Sequence, residues 1–449
     1  MRTPKKSAIR PTSGPSDRPA DRPADRPADR PADRLADDEL WDRVTRELAD
    51  DLAADAPARD RAGKAPFDEV ARLREAGLPA LLTPPGASRR GADWKAACAV
   101  IREISAADGS IGELLAHHYG LSWTARFFSR GGKAPGAPAA FEDRTAQKRW
   151  LLAGGVEPSR TDGGEPGLTL TPADGGYVLE GRRSFASGVT VADRLVVGAR
   201  CTGTGELLVV LVDPAHPAVF TDAGTDRLGQ RLAGAGTVTF DQVRVAARDV
   251  LGALPRDEHA VAPFTALAPL ALRLLLVHVV LGIAEGALAE ARDVSRAAQA
   301  VPPPADPRTD ADTEAYPMGC GEDPYLLLAY GELATAAHAA AAVVERATDA
   351  LARGLLAEQA LGAEERADIA VLVAAAEAVT GGAAVRITTR ILELVDTVQA
   401  APSTDGGPGF DRFWRNARTL TAQSSPAHRL RDIGDHYLHG THPRLTLRA

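Results

Sequence analysis

Between residues 150 and 252 the hydrophobic pattern changes from a helical repeat to a strand repeat, and after it the helical repeat returns. Inside this block Leu168-Thr169-Leu170-Thr171 and Tyr177-Val178-Leu179-Glu180-Gly181 flank Pro172-Ala173-Asp174-Gly175-Gly176. An Asp-Gly-Gly turn between two β-prone runs is a hairpin signal. Further β-prone runs follow at 195–199, 207–212, 219–220 and 237–245. No long helical period separates them, so α/β architectures with a helix after each strand are excluded. The block is expected to form an antiparallel barrel or sandwich.

The flanks read as helix. Leu40, Trp41, Val44, Leu48 and Leu52 recur at helical spacing, then Phe67, Val70, Leu73 and Leu78. Helices over 92–107 and 110–128, and one ending near Trp150, complete a helical domain at 39–149. Beyond Pro263 the chain predicts long helices over 266–298, 325–351 and 364–398, with shorter ones at Phe410 and Pro426. Their alanine-rich faces suit a four-helix bundle at 260–449. Nearly apolar stretches such as 369–376 call for burial on more than one side, and so for a homotetramer or homodimer. The fold class is therefore α+β. Residues 1–38 stand apart. Asp17-Arg18-Pro19-Ala20 recurs from Asp21, Asp25 and Asp29 and degrades at Asp33-Arg34-Leu35-Ala36. A proline at every fourth position blocks helix, and nothing apolar is available to bury, so a disordered tail is expected.

Charge and cysteine usage narrow the function. Lys+Arg number 52 and Asp+Glu 60, a net charge of −8, which offers no general attraction for nucleic acid or an anionic membrane. No apolar run approaches about 20 residues, so no membrane span is expected. Cys98, Cys201 and Cys320 form neither a metal pair nor a disulfide framework, and a reducing cytoplasm fits them. His278 and His338 sit among apolar neighbours as core histidines. Asp435, His436, His439 and His442 fall in a last helix and tail, and no metal site is assigned to them.

Local sequence adds a resemblance. The segment Gly181-Arg182-Arg183-Ser184-Phe185-Ala186-Ser187-Gly188, then Ala192-Asp193-Arg194-Leu195-Val196-Val197, resembles the flavin-contacting strand pair of the acyl-CoA dehydrogenase superfamily. Leu228-Gly229-Gln230-Arg231 through Val245 is similar to the end of its β-domain. Asp411-Arg412-Phe413-Trp414-Arg415-Asn416-Ala417-Arg418-Thr419 resembles the C-terminal signature of one branch, the flavin-dependent monooxygenases similar to dibenzothiophene monooxygenase. Asp108-Gly109-Ser110 through His118-Tyr119, and Asp323-Pro324-Tyr325, look like the same branch.

The resemblance implies an N-terminal helical domain, a central β-domain and a C-terminal helical bundle around a flavin, FMN in this branch and FAD as the alternative. It places Phe185 against the ring system, Ser187 near its N5 edge, and Gly155 and Val156 as backbone contacts. Arg415 could then reach a flavin phosphate, since guanidinium matches phosphate geometry. A two-component monooxygenase follows: a separate reductase supplies reduced flavin, a C4a-(hydro)peroxyflavin forms, and a sulfur- or nitrogen-bearing small molecule is oxidised. No Gly-x-Gly-x-x-Gly nicotinamide fingerprint is visible, in keeping with a separate reductase. His118 matches the branch's active-site histidine best, with His117 next. The usual His-x-x-His pair after Arg-Asn-Ala-Arg is replaced by Leu420 and Gln423, and Gln423 can donate a hydrogen bond but not shuttle a proton. An acyl-thioester dehydrogenase is the alternative activity. It needs a carboxylate base, and neither expected place, near Leu272-Arg273 or in 421–425, offers one. A non-catalytic flavin-binding homologue is the second alternative.

Overall fold

A computed structural model describes residues 31–82, 92–129, 137–156, 167–224, 227–255, 261–299, 324–398, 409–422, 426–441 and 443. The N-terminal part is helical: α1 (Pro31–Ala54), α2 (Ala56–Ala62), α3 (Phe67–Glu75), α4 (Trp94–Ala107), α5 (Gly109–Ser122), α6 (Thr124–Phe128) and α7 (Ala137–Lys148). Helix α1 starts inside the segment expected to be a disordered tail. After Pro31 the degraded repeat carries no further proline, and a proline in the first turn lacks only a donor that has no helical partner there. Residues 1–30 lie outside the described residues. The single helix expected over 110–128 is two, parted at Trp123, where φ −91° and ψ 0° leave the helical region. Asp108 caps α5 by accepting from Ser110 and Ile111 N–H.

The central strands are β1 (Leu152–Gly155), β2 (Thr169–Ala173), β3 (Gly176–Phe185), β4 (Arg194–Cys201), β5 (Leu207–Val212), β6 (Val219–Ala223), β7 (Gly236–Ala246) and β8 (Val250–Leu254). They form one sheet in the order β6-β7-β3-β2-β4-β5-β8, with β1 also on β4. The hairpin lies at β2–β3, with Ala173 opposite Gly176 and Gly175 at φ +77°. The sheet is mixed, which corrects the all-antiparallel expectation: β1 and β2 both run parallel to β4. Strand β1, Leu-Ala-Gly-Gly, carries too little β-propensity to be read from sequence. Strands β4 and β5 are buried on both faces. Leu195, Val197, Leu208 and Val210 point into the β-domain core, while Val196, Val209 and Leu211 point into the helical core. That is why β5 reads as an unbroken apolar run rather than an alternating one.

The C-terminal part holds three long helices, α8 (Leu267–Gln299), α9 (Pro324–Ala357) and α10 (Ala363–Val398), followed by α11 (Asp411–Ala422) and α12 (Pro426–His439). Helices α8, α9 and α10 pack on one another, and α11 and α12 pack on α10. Helix α8 also closes tightly on α4. A Cβ at Gly282 would lie 2.3 Å from Arg102 O, and one at Gly286 2.0 Å from Ala106 O. All three long helices are apolar enough to cross a membrane by length and composition alone, contrary to the sequence reading. The windows of α9 and α10 are built largely on alanine, which a search for runs of large apolar residues passes over, while the Leu- and Val-rich window of α8 is interrupted by Arg273 and His278. In α8 that window is 78% buried within the protein, in α9 33% and in α10 39%.

Candidate active site

Four elements meet at one apolar recess: α5 and α6, the end of β1, and the start of α8. His117, Gly120, Leu121 and Thr124 form one wall, with Phe127 and Phe128 beyond. Gly154, Gly155 and Val156 form the second, and Ala268, Pro269 and Leu272 the third. The local sequence explains the shape. Gly154 sits at φ +126°, and a Cβ there would meet Val196 O at 2.2 Å, so β1 can lie this close to β4 only with glycine. A Cβ at Gly155 would lie 3.2 Å from the Arg183 guanidinium and 3.8 Å from the Phe185 ring. The result is a strand end with bare backbone, backed by an aromatic ring and a cation. Such a surface fits the edge of a flat heteroaromatic ring.

His117 is the ionisable side chain on this recess among the described residues. Its Nδ1–H donates to the Glu113 carbonyl oxygen at 3.0 Å, which leaves Nε2 as the acceptor of the neutral ring. Burial, and then the positive charge of Arg227, hold its pKa below the usual histidine value, while the hydrogen bond to Glu113 opposes them.

The neighbouring histidine is committed elsewhere. His118 is fully buried; its Nε2–H donates to Pro79 O at 2.8 Å and its Nδ1 accepts from Leu152 N–H at 3.0 Å. Burial pushes its pKa down to about 4. It therefore ties α5 to β1 and to the turn before residue 81 as a neutral structural residue, and is not the histidine of the recess. The sequence places the two side by side; the direction of the helix face separates them.

Gly155 and Val156, which the resemblance assigns to flavin contact, line the recess. Phe185 stands behind Gly155 in the β-domain core, under the Arg183 guanidinium at 5.2 Å. Arg183 Nη1 in turn donates to Gly155 O at 3.2 Å. Ser187 is buried and donates to Ala233 O at 3.1 Å, the same carbonyl that accepts from Gly188 N–H at 2.7 Å. Its hydroxyl proton is used within the loop, though its oxygen can still accept. Arg415 is not free to hold a phosphate. It forms a half-buried ion pair with the buried Asp60, bonds Asp411 at 3.0 Å, and donates to Leu228 O at 3.0 Å. Gln423 lies outside the described residues. Leu420 packs against the main core.

No carboxylate lines the recess among the described residues. Leu272 is on the wall, while Arg273 turns away to pair with Glu377 on α10. Glu285 forms a two-pronged pair with Arg102, at 2.5 and 2.6 Å. Behind the wall lies polar matter that sequence reading passed over. Glu113 is 1% exposed with Oε2 unpartnered, and Gln230 is fully buried with neither amide atom partnered. Arg227 Nη1 donates to Ala186 O at 2.9 Å. The available signal was the acidic residue one helical turn before His117 on an otherwise apolar helix.

Residues 36–130 match the family model described as acyl-CoA dehydrogenase, N-terminal domain. The chain is 31% identical to the probable FMNH2-dependent monooxygenase SfnC of Pseudomonas putida, over 89% of this chain and 95% of that protein. It is 32% identical to the dibenzothiophene monooxygenase of Rhodococcus qingshengii, over 89% of this chain and 93% of that one. Among solved structures, FMN-bound TdsC of Paenibacillus sp. A11-2 superposes with a TM-score of 0.79 at 29% identity, covering 92% of this chain and all of that one.

Proposed function

Because this chain belongs to the acyl-CoA dehydrogenase superfamily, in its flavin-dependent monooxygenase branch, we propose that it is an FMN-dependent monooxygenase. Its substrate is a small molecule bearing sulfur or nitrogen, and a separate reductase supplies the reduced flavin. Reduced FMN, when bound, supplies the chemistry that activates dioxygen. The protein's part is to bind, orient and exclude water. Gly154, Gly155 and Val156 would hold a ring edge through backbone groups, with Phe185 and Arg183 behind. Phe127, Phe128 and Leu272 keep the recess dry, which strengthens each polar contact made inside it. His117 Nε2 is placed to accept a hydrogen bond from a group entering the recess.

The observation that carries the reading is this recess, walled among the described residues by one histidine and no carboxylate. Thioester dehydrogenation needs a carboxylate to take a proton from carbon. A lone neutral imidazole suits hydrogen bonding to an oxygen-bearing group instead. Stopped-flow mixing of the protein and chemically reduced FMN with oxygenated buffer tests it. An absorbing species distinct from reduced and oxidised FMN, outlasting the reoxidation of free flavin, is expected. Reoxidation indistinguishable from free FMN would count for the non-catalytic alternative, and bleaching of bound flavin by an acyl-CoA would count for the dehydrogenase.

The reading extends to assembly and location. Helices α9 and α10 leave most of their apolar windows uncovered, and Leu327, Leu328 and Leu356 are more than half exposed. Apolar faces of this extent are characteristic of subunit interfaces. A homotetramer is the expected state by light scattering, with a homodimer as the smaller alternative; a monomer at micromolar concentration would refute both. Cys98 and Cys201 are free thiols, in keeping with a cytoplasmic location.

A further inference from the structure

The walls of the recess are of unequal stiffness. At one end Phe127 and Phe128 are held in place. A Cβ at Gly252 of β8 would lie 2.3 Å from Phe128 O and 2.6 Å from Phe128 Cβ, so β8 lies directly on this residue. Thr265 Oγ1–H donates to Phe127 O at 2.8 Å. The Phe127 ring packs on those of Trp123 and Phe264, with centroids 5.9 and 5.4 Å away. On another side the glycines of β1 are fixed by parallel pairing with β4.

The remaining walls, α5 and α8, come together at one point. A Cβ at Gly120 would lie 3.3 Å from Leu272 Cδ1 and 3.7 Å from Leu272 Cβ. Helix α5 thus presents bare backbone, and the half-buried Leu272 side chain comes up against it. The other α8 residues on this wall are the small Ala268 and Pro269. Little space is left. Counting its open mouth, the recess holds about 540 Å³ free of protein atoms, but about 60 Å³ admits the centre of a water molecule. At about 10–15 Å³ of such space per water, roughly four to six waters fit, or about 120–180 Å³ of liquid. A single small ring, or a short chain about a sulfur, has that bulk; three fused rings exceed it. A flavin ring edge on the backbone wall would narrow the space further.

We propose that Leu272, closing the recess against Gly120, is the residue that limits substrate size, and that the substrate is a compact sulfur- or nitrogen-bearing molecule, a single ring or a short chain. The identity of the molecule as a substrate rests on the monooxygenase reading. The size limit does not, because it is a property of the walls. Leu272 is the wall's adjustable part: its side chain can be trimmed with the backbone in place, whereas Phe127 and Phe128 are locked to β8 and to the turn before α8. One missing methylene in an apolar pocket changes discrimination by about 10–200-fold, so trimming this leucine is enough to move the limit.

Calorimetric binding to protein loaded with oxidised FMN, and again to flavin-free protein, tests this. Thiophene and dimethyl sulfone are the compact probes and acridine the three-ring one. Acridine is scored only where a compact probe displaces it. The wild type should bind at least one compact probe, and acridine roughly tenfold more weakly or worse. Leu272→Ala should raise acridine affinity by roughly tenfold or more. Gly120→Ala, which adds a carbon to the recess and opens no cavity, should weaken the compact probe by roughly tenfold. Melting curves establish that the variants are folded, and Leu272→Val replaces Leu272→Ala if the latter is not. Acridine binding the wild type as tightly as the compact probes overturns the proposal. So does an unchanged acridine affinity in the folded Leu272 variant, or failure of both compact probes to bind. The two readings fail separately. A size limit with no oxygenated flavin in stopped flow removes the monooxygenase and leaves the limit; oxygenated flavin with no size limit does the reverse.

Discussion

Alanine in place of His117 is expected to lower kcat by roughly 100-fold or more, the usual loss when a positioned hydrogen-bonding or proton-exchanging group is removed. The melting temperature should hardly move, because His117 is half-buried on a recess and, among the described residues, its ring bonds to its own helix backbone. Alanine in place of His118 should do the reverse. It would strand the Leu152 N–H and the Pro79 carbonyl in a fully buried setting and leave a cavity at the α5–β1 contact. Unpaired buried groups cost about 1–3 kcal/mol each and the cavity adds to that, so a loss of about 3–5 kcal/mol is expected. His118 also sets an acid limit. Its folded pKa, about 4, lies below that of an exposed histidine. The stability it contributes is present above the unfolded value, near 6.5, and is lost as pH falls through about 4. Thermal melts of wild type and His118→Gln between pH 7.5 and 4 should therefore converge toward the acid end. If His118→Ala melts normally and has lost turnover, the two histidines have been assigned the wrong way round.

The second large effect concerns Arg415. Helix α11 is docked by its guanidinium on Asp60, which is 4% exposed, and on the Leu228 carbonyl. The approach is close: a Cβ at Gly229 would lie 2.3 Å from Arg415 O, and Gln230 N–H donates to Asn416 Oδ1 at 2.7 Å. Removing one partner of a buried ion pair leaves an uncompensated charge, at a cost of about 3–5 kcal/mol. Arg415→Ala should lose about that much by denaturant titration. The double variant Asp60→Asn, Arg415→Met should recover a large part of it, since the buried charge is then gone from both sides. A phosphate-binding role predicts another pattern: an unchanged midpoint, with FMN affinity lost. Measuring both quantities on one preparation separates the two.

The errors of sequence reading here have a common physical form. The pattern of apolar residues located helices α3, α4, α8, α9 and α10 to within a few residues, because a long amphipathic or buried helix repeats its signal many times. The β2–β3 hairpin was legible because Asp174-Gly175 carries a turn preference in its own backbone. Strand β1 was not. Leu152–Gly155 is short and half glycine, and its strand character is imposed by β4 through parallel pairing. Yet β1 is the strand that carries two of the recess walls' glycines to the site.

The same division runs through the site residues. The resemblance carried by the segments 181–188, 228–245 and 411–419 pointed to the superfamily and implied a flavin. The resemblance names Gly155 and Val156 as flavin contacts, and the structure puts both on the recess. Which of two adjacent histidines faces the recess, whether Arg415 is free or buried against Asp60, and whether Glu113 finds a partner are questions about helix rotation and about contacts as much as 355 residues apart in sequence. A side chain's identity sets what it can donate, accept or ionise, and that much is local. Its direction, its dielectric surroundings and its partners depend on how α5, β1, α8 and α11 close upon one another, and only the tertiary structure decides them.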